Sequence, residues 1–197
     1  TNNDYGKGLA DVYASAVKAH GIKVTTTAAH EDGKADYTAE VSTLASAGGD
    51  ALVVIGYLDQ GGKGIIQGSL DSGAFDTFIL SDGMIGDSLT DAFGKNLNKS
   101  FGSLPGSTGK GAGVFAKVAK AGGIDSSGPY TGESYDAAAL LVLAMQAGGS
   151  ADRASIAKNV MSVANGPGKK IYPGELKKAL DLLANGKAVD YEGATGV

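Results

Sequence analysis

The sequence predicts an α/β protein, a parallel sheet covered by helices in a three-layer αβα arrangement. Three observations carry this. Apolar runs such as Ala51–Ile55 and Thr77–Leu80 alternate with amphipathic helical patterns. Each run gives out into a turn of small and polar residues: Gly56 and Tyr57 after the first, and Ser81, Asp82 and Gly83 after the second. The 32 glycines in 197 residues, against only 4 prolines, are more than twice the usual roughly 7% and mark tight strand-to-helix turns. In open parallel sheets, ligands sit outside the carboxyl ends of the strands, so these turns are where a site is expected.

Taken in order, Leu9, Val12, Tyr13, Ala16 and Val17 recur at the spacing of one helical face and predict a helix over 7–20, capped by Asn3 or Asp4 and ended by Gly21. The β-branched stretch 22–27 reads as a strand. A polar loop through Glu31, Asp32 and Gly33 leads to a helix over 37–47 with Val41, Leu44 and Ala45 inward. Gly48-Gly49-Asp50 turns the chain into Ala51–Ile55, an uninterrupted apolar run that fits a central parallel strand. A helix over 62–70, the strand 77–80 and a short helix over 87–93 repeat the unit. Residues 96–107 break the rhythm, with a strand candidate at 100–104, then Pro105 and a Gly/Ser-rich stretch. We divide the chain there, into an α/β domain over 1–107 and a helical segment over 108–197.

The second segment carries helical patterns at 111–121, 132–147, 152–163 and 173–184, with Pro173 suited to a first helical turn and Asn185-Gly186 to an end. Helices with almost no strands must form a small bundle or cover a sheet supplied by other residues; we favour the second. The opening helix likewise lacks the strand expected before it. The chain reads as cut at both ends.

Composition narrows the function. A net charge of −4 without any Lys/Arg cluster argues against nucleic acid and anionic membrane surfaces. The absence of cysteine removes disulfides, thiolate nucleophiles and Cys-based zinc sites. No apolar run approaches the roughly 20 residues of a membrane span.

Four segments together resemble the type I periplasmic substrate-binding proteins of ABC transporters, in particular the branched-chain amino acid (Leu/Ile/Val-binding) family. They are Asn3-Asp4-Tyr5-Gly6-Lys7-Gly8, Asp50 to Tyr57, Leu80-Ser81-Asp82-Gly83 and Gly132-Glu133-Ser134-Tyr135-Asp136-Ala137, in the family's order and spacing. The resemblance implies a two-lobed Venus-flytrap fold with three hinge crossings, here incomplete. The chain would begin just inside the second lobe, cross back near 96–108 and add helices to the first. The missing N-terminal lobe of the same protein would carry the loops that hold a ligand's carboxylate, so this chain alone is expected to bind weakly or not at all. Also implied are a small-molecule ligand such as an amino acid, an ABC transporter permease as partner, a periplasmic location and no cofactor.

The resemblance places the family's ammonium-binding acid at Asp82 and cleft-facing aromatic or hydroxyl groups at Tyr5, Tyr57 and Tyr130. The chemistry is suitable: a buried ammonium needs a carboxylate, and tyrosine offers a flat apolar face with a hydroxyl. Each residue also has a plainer role open to it, Asp82 shaping its turn and the rings covering the sheet end. Tyr135 and Asp136 fit packing and capping better than ligand contact. Catalysis finds no support. The Gly-Lys pairs of 61–64 and 106–113 lack the spacing of a phosphate loop, no Gly-x-Ser-x-Gly elbow occurs, and His20 and His30 have no Asp, Glu or His neighbour at ligand spacing except Glu31 beside His30. Asp87 and Asp91, one helical turn apart, read as a solvated face. We therefore expect a binding protein without catalytic or metal residues. A ligand-sensing domain of a receptor or regulator, and an enzyme domain with its catalytic residues elsewhere, are the alternatives.

Overall fold

A computed structural model describes residues 1–196. The chain divides into two compact units, Thr1–Leu104 and Pro105–Val197. In the first, α1 (Asp4–Ala19) and α2 (Thr38–Ala47) precede β1 (Leu52–Val54), α3 (Gly62–Asp71), β2 (Phe78–Leu80), α4 (Asp87–Phe93) and β3 (Phe101–Gly102). The strands form one parallel sheet in the order β1-β2-β3. Parallel neighbours require crossovers, which α3 and α4 supply. Leu52, Val54, Phe78 and Leu80 turn to the core and meet Ile65 and Ile66 of α3, Val41 of α2 and Leu89 and Phe93 of α4. Phe78, Ile66 and Met84 are fully buried.

The start of α1 follows the sequence reading: Asn3 is the N-cap, and its side chain accepts from the Gly6 N–H at 2.9 Å. Its predicted buried face is only partly so. Leu9, Tyr13 and Val17 are half-buried, whereas Val12 is 66% exposed. The predicted strand at 22–27 is also absent as a ladder. Exposure does alternate there with the period of a strand, Val24, Thr26 and Ala28 being half-buried and Lys23, Thr25 and Thr27 exposed. The segment nonetheless pairs with no strand. Its β-branched residues favour extension, but a strand needs a neighbouring backbone, and none is aligned beside it.

The second unit contains α5 (Lys110–Ala121), α6 (Thr131–Gly148), α7 (Arg153–Asn165), β4 (Lys169–Ile171), α8 (Leu176–Ala184) and β5 (Val189–Tyr191). The helices fall close to their predicted positions, although α8 starts three residues beyond Pro173, with Glu175 as its N-cap. The two short strands were not foreseen. They pair in parallel, Ile171 opposite Tyr191, with α8 as the crossover. Leu143 and Ala144 of α6, Val163 of α7 and Ala179 of α8 close over Ile171, Val189 and Tyr191. This unit thus covers a sheet of its own.

Asp136 caps nothing in its own helix. It lies buried on α6, where its carboxylate accepts from the Tyr191 hydroxyl at 2.8 Å, from the Ala194 and Thr195 N–H groups at 2.8 Å each, and from Thr195 Oγ1 at 2.8 Å. Burial and the adjacent carboxylate drive the Tyr191 hydroxyl far above its usual pKa, so it remains a donor. A Cβ on Gly193, at φ 62°, would lie 2.6 Å from Asp136 Oδ2, and one on Gly111 would lie 1.8 Å from the Gly193 carbonyl. The carboxylate thereby ties α6 to the chain after β5. Asp136→Ala leaves several buried donors unpaired at roughly 1–3 kcal/mol apiece. Urea denaturation followed by circular dichroism is expected to show a loss of about 3 kcal/mol, with a smaller loss for Asp136→Asn.

Candidate functional site

Val54 of β1 lies opposite Leu80 of β2, so the turns after the two strands emerge side by side. The Ser81 N–H donates to the Val54 carbonyl at 3.1 Å, and the Gly56 N–H donates to Ser81 Oγ at 3.4 Å. A Cβ on Gly83 would sit 2.4 Å from the Gly56 carbonyl and 3.2 Å from the Tyr57 ring. Glycine at 83 is what lets the turns touch. They carry Tyr57 on one strand end and Ser81 and Asp82 on the other.

The first turn of α1 adds Tyr5. Its ring stacks on Tyr57 with centroids 5.4 Å apart and planes inclined by 27°. Its hydroxyl donates to Asp82 Oδ1 at 2.6 Å and lies within hydrogen-bond range of Ser81 Oγ at 3.0 Å. Burial, and after it the bond to Asp82, raises the Tyr5 pKa, which keeps the phenol protonated and donating. The structure therefore brings together Tyr5, Tyr57 and Asp82, residues distant in sequence, at the carboxyl edge of one parallel sheet. Half-buried aromatic rings beside a carboxylate are the chemistry that a small molecule with an apolar body and a donor or cationic group would need.

Tyr130, the fourth candidate, belongs to the second unit. It is the N-cap of α6, 36% exposed, and holds a left-handed backbone at φ 60°, uncommon for an aromatic residue. Tyr135 is a packing residue: its hydroxyl accepts from the Gly174 N–H at 2.8 Å and its ring lies 5.2 Å from Phe115.

Ser81, placed by the sequence reading in the strand-end turn but without a ligand role, bridges the turns through its hydroxyl. His30, read as a loop residue, is buried behind the turns, edge-on to Tyr37 at 5.7 Å and 3.8 Å from Asp32. No sequence signal marked it. Among the described residues, no group of three or more His, Cys, Asp or Glu is placed to hold a metal ion, and no helix is long and apolar enough to cross a membrane.

Comparison with known proteins bears on the fold. No protein-family profile matches the chain. Over 68 residues it is 41% identical to the chemotactic signal transduction system substrate-binding protein BasB of Halobacterium salinarum, a stretch covering 34% of this chain and 16% of that protein. Its fold matches the crystal structure of a type 1 periplasmic binding protein from Bordetella pertussis Tohama I, with a TM-score of 0.69 and 22% identity, over 83% of this chain and 48% of the other. The fold is that of a type 1 periplasmic binding protein, and the matched region spans about half the length of the solved neighbour. Both similar proteins are described as binding proteins.

Two consequences can be measured. Gly83→Ala drives a methyl into the Gly56 carbonyl, and overpacking of this kind costs roughly 1–3 kcal/mol; a lower Tm and altered Tyr57 fluorescence are expected. Burial, then the nearby N-terminal ammonium, depresses the His30 pKa below its ordinary 6.5. The fold thus favours the neutral ring: the contribution is fully present above pH 6.5 and is lost as pH falls through the folded-state pKa. The drop in Tm between pH 7 and pH 5 is expected to be smaller in His30→Gln than in the unaltered protein.

Proposed function

We propose that the carboxyl edge of the first unit's sheet binds a small polar solute with a cationic amine, of the amino acid class. Asp82 would take the ammonium, and Tyr5 and Tyr57 would wall the ligand. The observation that carries this reading is the stacked tyrosine pair whose leading hydroxyl donates to Asp82 beside the strand ends. A carboxylate that already accepts a phenolic proton is oriented before a ligand arrives, which lowers the ordering cost of binding. Micromolar affinity, about −8 kcal/mol, lies within reach of one paired ammonium, one paired carboxylate and an aromatic wall, and so belongs to a whole two-lobed protein, this chain alone binding weakly or not at all. Tyr130 enters the reading as a further ligand contact through the resemblance of its segment.

In this reading the chain is part of a solute-binding protein that works outside the cytoplasm and hands its ligand to an ABC transporter permease, with branched-chain amino acids as the first ligands to try. The fold of the type 1 periplasmic neighbour supports the solute-binding part. A second reading, presentation of bound ligand to a signalling receptor, is favoured by the similarity to a substrate-binding protein of a chemotactic system.

Isothermal titration of the whole solute-binding protein that this reading implies, with a panel of L-amino acids and their deaminated analogues, tests the site. The expected outcome is saturable binding of an amine-bearing ligand, weakened at least thirtyfold in Asp82→Ala, the equivalent of about 2 kcal/mol for a charged hydrogen bond, and about tenfold in Tyr57→Ala. Equal affinity in Asp82→Ala, or equal binding of the deaminated analogue, would sink the proposal.

A further inference from the structure

β3 is the far edge of the first unit's sheet, with β2 on one side and, among the described residues, no strand on the other. It opens a stretch, 101–104, that is exposed throughout, Phe101 by 69% and Leu104 by 40%. An unpaired edge that also shows large apolar side chains invites pairing with another chain, and proteins cover, charge or interrupt such edges. Lys99 stands ahead of this one and Pro105 beyond it. The Lys99 ammonium, however, is paired with the Asp76 carboxylate at 2.6 Å, and 101–104 itself holds neither charge nor proline.

The turn that leads into this edge holds a tripeptide with a chemistry of its own. Asn98-Lys99-Ser100 has the Asn-x-Ser pattern, x not being Pro, that N-glycosyl transfer requires. No other asparagine in the chain is followed two residues on by Ser or Thr. A tripeptide this short carries weight only through its setting, which must be a surface loop. Asn98 is exposed and ends a 3-10 turn, Gly94–Leu97. Its N–H donates to the Lys95 carbonyl at 3.1 Å, and the Ser100 N–H donates to the Leu97 carbonyl at 2.8 Å. Asn2, Asn159 and Asn185 each donate their side-chain amide to a neighbouring oxygen, whereas among the described residues the Asn98 amide has no such partner and is open to a bulky group. Ser100 also serves the fold: its Oγ accepts from the Phe78 N–H at 3.1 Å and pins the turn to the start of β2. That oxygen is engaged once the chain folds, so transfer belongs to the nascent or unfolded segment.

We propose that Asn98 is an N-glycosylation site whose glycan covers the β3 edge. The donor is an oligosaccharide carried on a polyprenyl phosphate or pyrophosphate. Asn98 Nδ2 attacks the anomeric carbon of its first sugar. The carbon–nitrogen bond forms as the bond from that carbon to the phosphate oxygen breaks; the lipid phosphate leaves with the electron pair, and the amide gives up one proton to the transferase. Even along a fully extended chain Asn98 and Phe101 are at most about 11 Å apart, so the sugars nearest the asparagine lie beside Phe101 and the free edge. A bulky, hydrated group there obstructs a second strand and leaves the pairing of β3 with β2 intact. The inference rests on the reading of this chain as part of a protein that works outside the cytoplasm, and on nothing at Asp82.

The test takes the protein from the cells that make it, follows its location by fractionation and reads the peptide holding Asn98 by mass spectrometry. Expected is a protein outside the cytoplasm whose Asn98 carries a mass increment of sugar units, absent from Asn98→Gln made in the same cells. The two proteins are then concentrated and followed by light scattering. Asn98→Gln keeps Ser100 and its bond to Phe78, so its circular dichroism is expected to be unchanged, while its aggregation is expected to run about fivefold faster. Adding Phe101→Thr to Asn98→Gln is expected to bring aggregation back to the rate of the glycosylated protein. A protein outside the cytoplasm with an unmodified Asn98 overturns the inference and leaves the extracytoplasmic reading standing. A cytoplasmic protein overturns both. A glycan whose loss leaves aggregation unchanged overturns its role at the edge.

Discussion

The register of β1 against β2 is the constraint on which the first unit depends. Leu52 faces Phe78, Val53 faces Ile79 and Val54 faces Leu80. Because side chains alternate along a strand, a slip of one residue would turn Leu52 and Val54 out of the core and bring Val53 in. It would also carry Gly56 and Tyr57 away from Ser81 and Asp82. The apolar contacts of Phe78 and Ile66 and the polar geometry of the strand-end turns are therefore consequences of one alignment. The Gly83 to Gly56 contact then fixes the turns against each other at a distance no other residue at 83 permits.

The second unit solves a comparable problem with a charge. Its strands are three residues long and pair only with each other, so the ladder contributes little by itself. Asp136 gathers the phenol of Tyr191 at the end of β5 and two backbone N–H groups and a hydroxyl from the residues that follow it. A buried carboxylate is costly unless such donors surround it. Once they do, alternative placements of that segment leave the charge unpaired. The arrangement fixes position as much as it adds stability.

These differences explain what the sequence made legible. Helical faces repeat over ten or more residues, so α2, α5, α6 and α7 are visible from periodicity, and the Asn3 cap from its residue type. β1 and β2 are visible because both are wholly apolar runs, although only β2 is central in the sheet and β1, expected to be central, is an edge. β4 reads Lys-Lys-Ile and β5 Val-Asp-Tyr; neither has an apolar run, and each is a strand only because the other lies beside it. The stretch 22–27 is the reverse case, with strand composition and no partner. For the site, the strand-end rule led to Tyr57 and Asp82 and the helix start to Tyr5, whereas the stacking of Tyr5 on Tyr57 and the burial of His30 are tertiary facts without a local signature.

The site depends in turn on α1. That helix brings Tyr5 to Asp82, yet its outward face includes the exposed Val12, and Gly6 is its one buried residue. What holds its first turn is a short set of polar contacts: Thr1 to Ile55, Asn2 to His30, and the Tyr5 hydroxyl to Asp82. Bonds of this kind are worth about 0.5–1.5 kcal/mol each, little to hold a 16-residue helix in one orientation. The stacking of Tyr5 on Tyr57, with centroids 5.4 Å apart, adds an aromatic contact to these bonds. The position of Tyr5 therefore rests on the same strand-end turns that carry Tyr57 and Asp82, and the register that aligns those turns also sets the helix start.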